Sequence, residues 1–228
     1  MAAASSCSTS TSDEYDQDAS ATGAASTVGT TSSEIAALVE LLEKEDVGVA
    51  IRAAEVLIGV CHGSDSSVKA IVAKAVKASA ASLFDRNPTC AMSIVVACGM
   101  TELNLRYCLI GTEGGKVIAA GLAGSQLTTL YLGGNEIGAV GGKAIGAGLA
   151  GSQLTTLNLR GNGIGDEGCK AIGAGLAGGQ LTTLILWDNI IGDEGMAVVD
   201  AGVKRNLERR KRFLVVGWRV CVNAWRFQ

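Results

Sequence analysis

The chain has 228 residues, enough for one or two domains, and 48% of them are hydrophobic, which suffices for a sizeable core. Aromatic residues make up only 4%, and 31 glycines stand against a single proline, Pro88. So much glycine without a collagen period implies tight turns or close helix packing, and no stretch reaches the ~18 uncharged apolar residues that a membrane-spanning helix needs. Seven cysteines occur, at positions 7, 61, 90, 98, 108, 169 and 221. An odd count with no CxxC pair excludes the usual zinc and secreted-disulfide patterns, so they are expected to be reduced thiols of an intracellular protein. The expected location is the cytoplasm, with the nucleus as the alternative. Charge is uneven. Residues 204–228 hold eight basic side chains against one acidic, whereas the rest of the chain holds eleven against twenty-one.

Residues 1–33 are rich in Ser, Thr and Ala, with acids at Asp13, Glu14, Asp16 and Asp18. They lack a basic start with an apolar core, as a secretory signal would have, and they lack arginine, as a transit peptide would not. Their composition predicts a disordered tail. From residue 34 the pattern becomes helical. Ile35, Leu38, Val39, Leu41 and Leu42 share one face, and Asp46 can cap a second helix that buries Val49, Ala53, Val56, Leu57 and Val60. Ser66 or Ser67 opens a third helix through Val68, Ile71, Val72, Ala75 and Val76. The stretch IAALVELLEKEDVGVAIRAAEVLIGVCHGSDSSVKAIVAKA resembles a single armadillo-type unit. Asn87-Pro88 then reads as an N-cap and first helical position, opening a helix through Ala91, Ile94, Val95 and Cys98 that Gly99 ends.

From residue 100 the chain repeats itself every 27 residues: 100–126, 127–153, 154–180 and 181–207. The copies open with MTELNLRYCLIG, LTTLYLGGNEIG, LTTLNLRGNGIG and LTTLILWDNIIG. Within the third copy Leu157 and Leu159 alternate as a short strand should. Gly168, Ala171, Ile172, Gly175 and Leu176 follow at the spacing of one helix face. A strand and a helix in so short a unit cannot close a core alone, so the copies must stack into a solenoid whose ends need covering. Residues 34–99 and residues 208–228, with FLVVGWRVCVNAWRF, are the candidate caps. Gly146, Gly148, Gly173 and Gly175 sit inside the predicted helices at a cost of ~1 kcal/mol each, so thin, close-packed and readily frayed outer helices are expected.

The string LTTLNLRGNGIGDEGCKAIGAGLAGGQ resembles the ribonuclease-inhibitor class of leucine-rich repeats. The resemblance implies an α/β solenoid, parallel strands inside and helices outside, preceded here by an α-helical region. It also implies that Asn135, Asn162 and Asn189 bond backbone along a ladder, with Cys108 in the equivalent place of the first copy.

Catalytic chemistry finds no support in the residues. A nucleophile with a histidine base would need His62, the only histidine, which falls in the helical region. Glycine-rich strings such as GGNEIGAVGGK recur as repeat parts and lack the phosphate-loop pattern. GDEG lacks calcium-loop spacing, and its acids suit helix starts instead. No cofactor or metal is expected, and a monomeric binding protein is. The residues between the strand leucines should face outward on the concave side: Glu102, Asn104 and Arg106; Thr129, Tyr131 and Gly133; Thr156, Asn158 and Arg160; Thr183, Ile185 and Trp187. The threonines repeat, so specificity for an unidentified protein partner is assigned to Arg106, Tyr107, Tyr131, Asn158, Arg160, Trp187 and Asp188. Two alternatives stay open. A Ran GTPase-activating family uses the same repeat class, which implies a small GTPase as partner. The basic, aromatic segment from Lys204 to Arg226 suits an anionic membrane or nucleic acid.

Overall fold

The computed structural model describes residues 31–209 other than Glu45 and Asp65. Five helices come first: α1 (Ser32–Leu42), α2 (Val47–Gly63), α3 (Ser66–Ala78), α4 (Ala80–Arg86) and α5 (Pro88–Ala97). Strand and helix then alternate through β1 (Glu102–Asn104), α6 (Gly111–Leu122), β2 (Thr129–Tyr131), α7 (Gly138–Leu149), β3 (Thr156–Asn158), α8 (Gly165–Leu176), β4 (Thr183–Ile185) and α9 (Asp193–Arg209). The strands form one parallel sheet in chain order, an α/β repeat solenoid preceded by helices.

In the helical region Ile35, Val39, Leu42, Leu57, Val72 and Val76 are buried, while Val56 and Leu41 are exposed. The expected inward Val56 is therefore corrected: Ala53 and Ala54 of the same helix take the buried positions. Asp46 accepts from the Gly48 and Val49 N–H groups at 2.8 and 3.2 Å, an N-cap for α2. Thr31 and Glu34 close a capping box on α1. Asn87 does not cap α5. Its φ of −139° and ψ of 66° turn the side chain away, and Nδ2 donates to the Leu42 carbonyl instead, tying α5 to α1. Pro88 holds the first helical position. Helix α4, between two expected helices, was not anticipated; Leu83 and Phe84 bury it.

Each repeat strand is only three residues long, because only the Leu-x-Leu portion alternates. Leu103, Leu130, Leu157 and Leu184 are Cα partners across the sheet and are all but inaccessible. Leu105, Leu132, Leu159 and Leu186 form a second buried column, with Ile110, Ile137 and Ile164 behind them. Helices α6 to α9 stack on one another, and α5 packs on α6, covering the first open end of the array.

Side chains extend the register beyond these strands. Asn162 Oδ1 accepts from the Asn135 N–H at 3.0 Å and the Ile137 N–H at 3.4 Å, while Nδ2 donates to the carbonyls of Leu132 and Leu159 at 2.8 and 2.9 Å. Asn135 and Asn189 repeat the pattern one copy down and one copy up. Each asparagine reaches back to the preceding copy. Cys108 has no preceding copy to reach, and its thiol donates to the Arg106 carbonyl within its own turn. A second ladder was not anticipated: Thr128, Thr155 and Thr182 donate their hydroxyls to the carbonyls of Thr101, Thr128 and Thr155 at 2.9–3.0 Å. The acids of the first helical turns also work between copies. Asp166 accepts from the Gly192 and Gly195 N–H groups, and Glu167 joins Lys143 and Lys170.

The helical glycines are contact points, and helices α6 to α8 run unbroken through them. A Cβ at Gly146 would sit 2.6 Å from the Ala171 carbonyl oxygen, and one at Gly173 would sit 2.7 Å from that of Val198. Cβ atoms at Gly175 and Gly202 would collide with the carbonyls of Gly146 and Gly173. Helix α9 departs from the pattern. It is 17 residues long where α6 to α8 have 12, and its continuation to Arg209 replaces the turn that would start another strand. Of the expected cap at 208–228 only residues 208 and 209 are described, in α9, and of the expected disordered tail at 1–33 only residues 31–33 are, where they cap and open α1; residues 1–30 and 210–228 lie outside the described residues.

Stability measurements on three variants test this packing. Asn162→Ala should cost about 1–3 kcal/mol, because buried backbone donors and acceptors of two copies lose their partner; a thermal melt like that of the parent would contradict the ladder. Gly175→Ala should cost about 1–3 kcal/mol through overpacking, even though alanine gains up to about 1 kcal/mol of helix propensity. Gly59→Ala, with nothing within 4 Å of the added methyl, should instead raise the melting midpoint.

Candidate partner-binding surface at the strand ends

The side chains assigned to binding leave the sheet at the ends of β1 to β4. In successive copies the residue after the second strand leucine is Arg106, Gly133, Arg160 and Trp187, and the next is Tyr107, Gly134, Gly161 and Asp188. Large groups in the outer copies and glycines between them leave a hollow of about 550 Å3. Arg106, Tyr107, Gly133, Gly134, Asn158, Arg160, Gly161 and Asp188 line it. Gly133 has no special backbone need, and a Cβ there would meet only ordinary contacts at 3.5 Å and beyond. It is a gap in a row whose other members are arginine or tryptophan.

The arginines are held by aromatic rings. The Arg106 guanidinium lies 4.1 Å from the centre of the half-buried Tyr131 ring, and that of Arg160 lies 5.9 Å from the Trp187 ring. Such contacts favour an extended arginine and leave its outer edge free for hydrogen bonds. Arg160 Nε also donates to Asp188 at 2.9 Å. Both partners are exposed, so this pair orients the two side chains and adds little stability. Arg106 has no carboxylate partner among the described residues.

Asn158 departs from the expected outward contact. It is only 8% exposed, and its Oδ1 accepts from the Arg160 N–H at 3.0 Å, so it supports the hollow and Arg160 more than it offers a contact of its own. Asn104 Oδ1 accepts from the Arg106 N–H in the same way but remains exposed.

The register position of Tyr107, Gly134, Gly161 and Asp188 has a φ of 56–71° in every copy. Glycine adopts this without strain; an L side chain does not, and a bulky one is the least suited. Tyr107 is nevertheless 77% exposed, its ring lying across Gly134. No core position explains an aromatic there. A second left-handed row follows at Leu109, Glu136, Gly163 and Ile190, with φ of 52–61°. Leu109 and Ile190 are exposed, Ile190 to 87%. These two were missed in the sequence. Their signal was a position filled by glycine in the third copy and by large residues elsewhere, two positions beyond the assigned ones.

Other assignments fall elsewhere. His62 lies away from the sheet, lining an apolar hollow between α2, α5 and α6. Among the described residues no group of His, Cys, Asp and Glu is placed to hold a metal ion, and no helix is long and apolar enough to cross a membrane. Lys204 and Arg205 are exposed on α9, which continues to Arg209, and residues 210–226 of the basic segment lie outside the described residues.

A leucine-rich-repeat family model matches residues 98–119, 126–146 and 153–173. These three segments are similar to leucine-rich repeats, a class that generally serves protein interaction and is typically non-catalytic. The fourth copy lies outside the matched residues yet carries the same strand, asparagine and helix. No curated protein matches the chain.

Relief of the left-handed strain at Tyr107 is measurable. Tyr107→Gly removes an exposed ring and relieves a left-handed tyrosine, so it should lose no more than about 0.5 kcal/mol of stability despite glycine's greater freedom in the unfolded chain. A loss of several kcal/mol in urea denaturation would mean that the ring is a structural part of the turn.

Proposed function

We propose that this protein recognises a protein partner through the strand-end surface of its repeats, without catalysis. The observation that carries the reading is the exposed Tyr107 in a left-handed backbone, beside the hollow that Arg106 and Arg160 flank. Strain kept at an exposed side chain is most simply explained by a use for that side chain. Tyrosine, tryptophan and arginine are also the types that dominate binding hot spots. The 27-residue period, with asparagine at the turn of three copies and cysteine at that of the first, supports the ribonuclease-inhibitor subclass as the finer family assignment.

Size bears on where the partner sits. Four strands ~4.8 Å apart give a sheet about 15–20 Å across, and a specific interface needs roughly 800 Å2 from each side. The sheet alone reaches that only marginally. Leu109 and Ile190 at the turns extend it along the edge where Tyr107 and Asp188 stand, so the strand ends and the turns after them form the contact.

The test uses the full chain and a partner recovered from the native cell and then purified. Trp187→Ala should weaken binding by about 2 kcal/mol or more, as truncating a hot-spot residue does. Gly133→Trp should block binding while the protein stays folded, because the same position already holds tryptophan in the fourth copy. If a Tyr107/Trp187 double variant and Gly133→Trp both bind normally, the strand-end surface is not the recognition site.

A further inference from the structure

Two cysteines meet where the helical region joins the first repeat. Cys61 lies in the last turns of α2, and Cys98 is the C-cap residue of α5. They are 37 positions apart in the chain, yet their Sγ atoms are 2.6 Å apart. Both are free thiols, Cys61 fully buried and Cys98 only 7% exposed. A covalent S–S bond measures about 2.05 Å, so closing one here asks for a movement of only about half an ångström.

The surroundings favour chemistry at this pair over the other described cysteines. A hollow of about 300 Å3 leads to Cys98 and is lined by Lys69, Lys77 and Gly99 among others. The hydrogen bond to Cys61 pushes the Cys98 thiol up and burial adds to this, while the positive charge of Lys69 acts on both sulfurs in the opposite direction. The hydrogen bond from Cys98 holds the Cys61 thiol below its ordinary range against the opposing effect of burial. Elsewhere burial works alone or with an acid. It pushes Cys108 up, raises Cys90 with help from Glu55, and takes Cys169 beside Asp166 to about 12. Those thiols are kept protonated and, among the described residues, stand without a sulfur neighbour.

We propose that Cys61 and Cys98 are an oxidisable dithiol, a modification site that closes to an intramolecular disulfide when the protein meets hydrogen peroxide. Peroxide is small enough to enter the hollow, where Cys98 is the sulfur that it reaches. The Cys98 sulfur passes its proton to the Cys61 thiolate beside it and attacks one peroxide oxygen; the O–O bond breaks, and the second oxygen leaves as hydroxide, which takes up the proton that Cys61 had released and becomes water. Cys98 is then a sulfenic acid. The Cys61 sulfur displaces its oxygen, which leaves as a second water with the Cys61 proton. Two thiols and one peroxide thus give one disulfide and two waters. The bond would tie the end of α2 to the turn at Gly99 and Met100 that feeds β1, joining the cap to the array covalently.

The full chain is treated with hydrogen peroxide under native conditions, its free thiols are alkylated, and it is digested without reductant for mass spectrometry. The expected result is a peptide pair linked through Cys61 and Cys98, reversed by dithiothreitol, with Cys90, Cys108 and Cys169 alkylated. Trypsin leaves Cys90 and Cys98 in one peptide, so fragmentation must place the bond on Cys98. Cys98→Ser should abolish the link and Cys90→Ser should preserve it. Recovery of both Cys61 and Cys98 as alkylated thiols overturns the proposal. So does a link that forms only in denaturant, or recovery of Cys98 as sulfinic acid with Cys61 alkylated. The unsubstituted chain supplies these readings without any variant.

Discussion

The asparagine at the turns of the second, third and fourth copies is the constraint on which the rest of the structure depends. A strand of three residues exchanges few backbone bonds with its neighbours, too few to hold a register unaided. One side chain in each of the second, third and fourth copies supplies what is missing. Asn162 accepts from two N–H groups of the second copy and donates to carbonyls of the second and third, so it fixes two turns against each other at once. All four groups lie in a buried interior where an unpaired donor or acceptor costs more than the bond itself contributes. A shift of one residue would break the whole set, and the threonine ladder beneath the strands with it. The 27-residue spacing is therefore enforced by polar groups, while the leucine columns supply the driving force.

Behind the sheet the glycines solve a geometric problem. Parallel strands lie ~4.8 Å apart, whereas helices packed through ordinary side chains lie about 8–10 Å apart. A solenoid with such unequal layers curves steeply. Removing the side chain at the helix contacts lets backbone meet backbone, as Gly175 meets the Gly146 carbonyl, and narrows the difference. The propensity lost at each helical glycine is offset by this close approach. The same logic explains why alanine, favourable in an exposed helix, cannot replace these residues.

At the strand ends the repeat stops repeating. Ladder and leucine positions hardly vary between copies, because each must fit its neighbours. The positions one and two residues past the second leucine carry arginine, tryptophan, tyrosine, aspartate or glycine. Their backbone is fixed by the ladder beside them, so a tyrosine can be held in a conformation that it would not choose. A rigid scaffold and variable, exposed, partly strained side chains are the arrangement in which a binding surface is carried at little risk to the fold.

Much of this was legible in the sequence because a period is a one-dimensional signal. Four copies, a short strand and a helix in each, the buried leucines and the asparagine positions follow from the spacing and from what Leu, Ile and Asn do in it. The outward row at Arg106, Arg160 and Trp187 follows from the alternation of a strand. The remainder required the fold. Asn87 looks like a helix cap until α1 stands beside it and offers a carbonyl. Asn158 looks outward until its oxygen is seen to serve Arg160. Leu109 and Ile190 read as turn residues until their left-handed backbone and exposure are known. Cys61 and Cys98 read as separate apolar positions until α2 and α5 cross. In each case the deciding contact joins residues far apart in the chain, or depends on a backbone angle that composition does not encode. The sequence by itself determined the period and the layers, and its resemblance to a known repeat class implied the ladder; the tertiary structure alone decided which polar and reactive side chains meet, because that depends on how the elements pack.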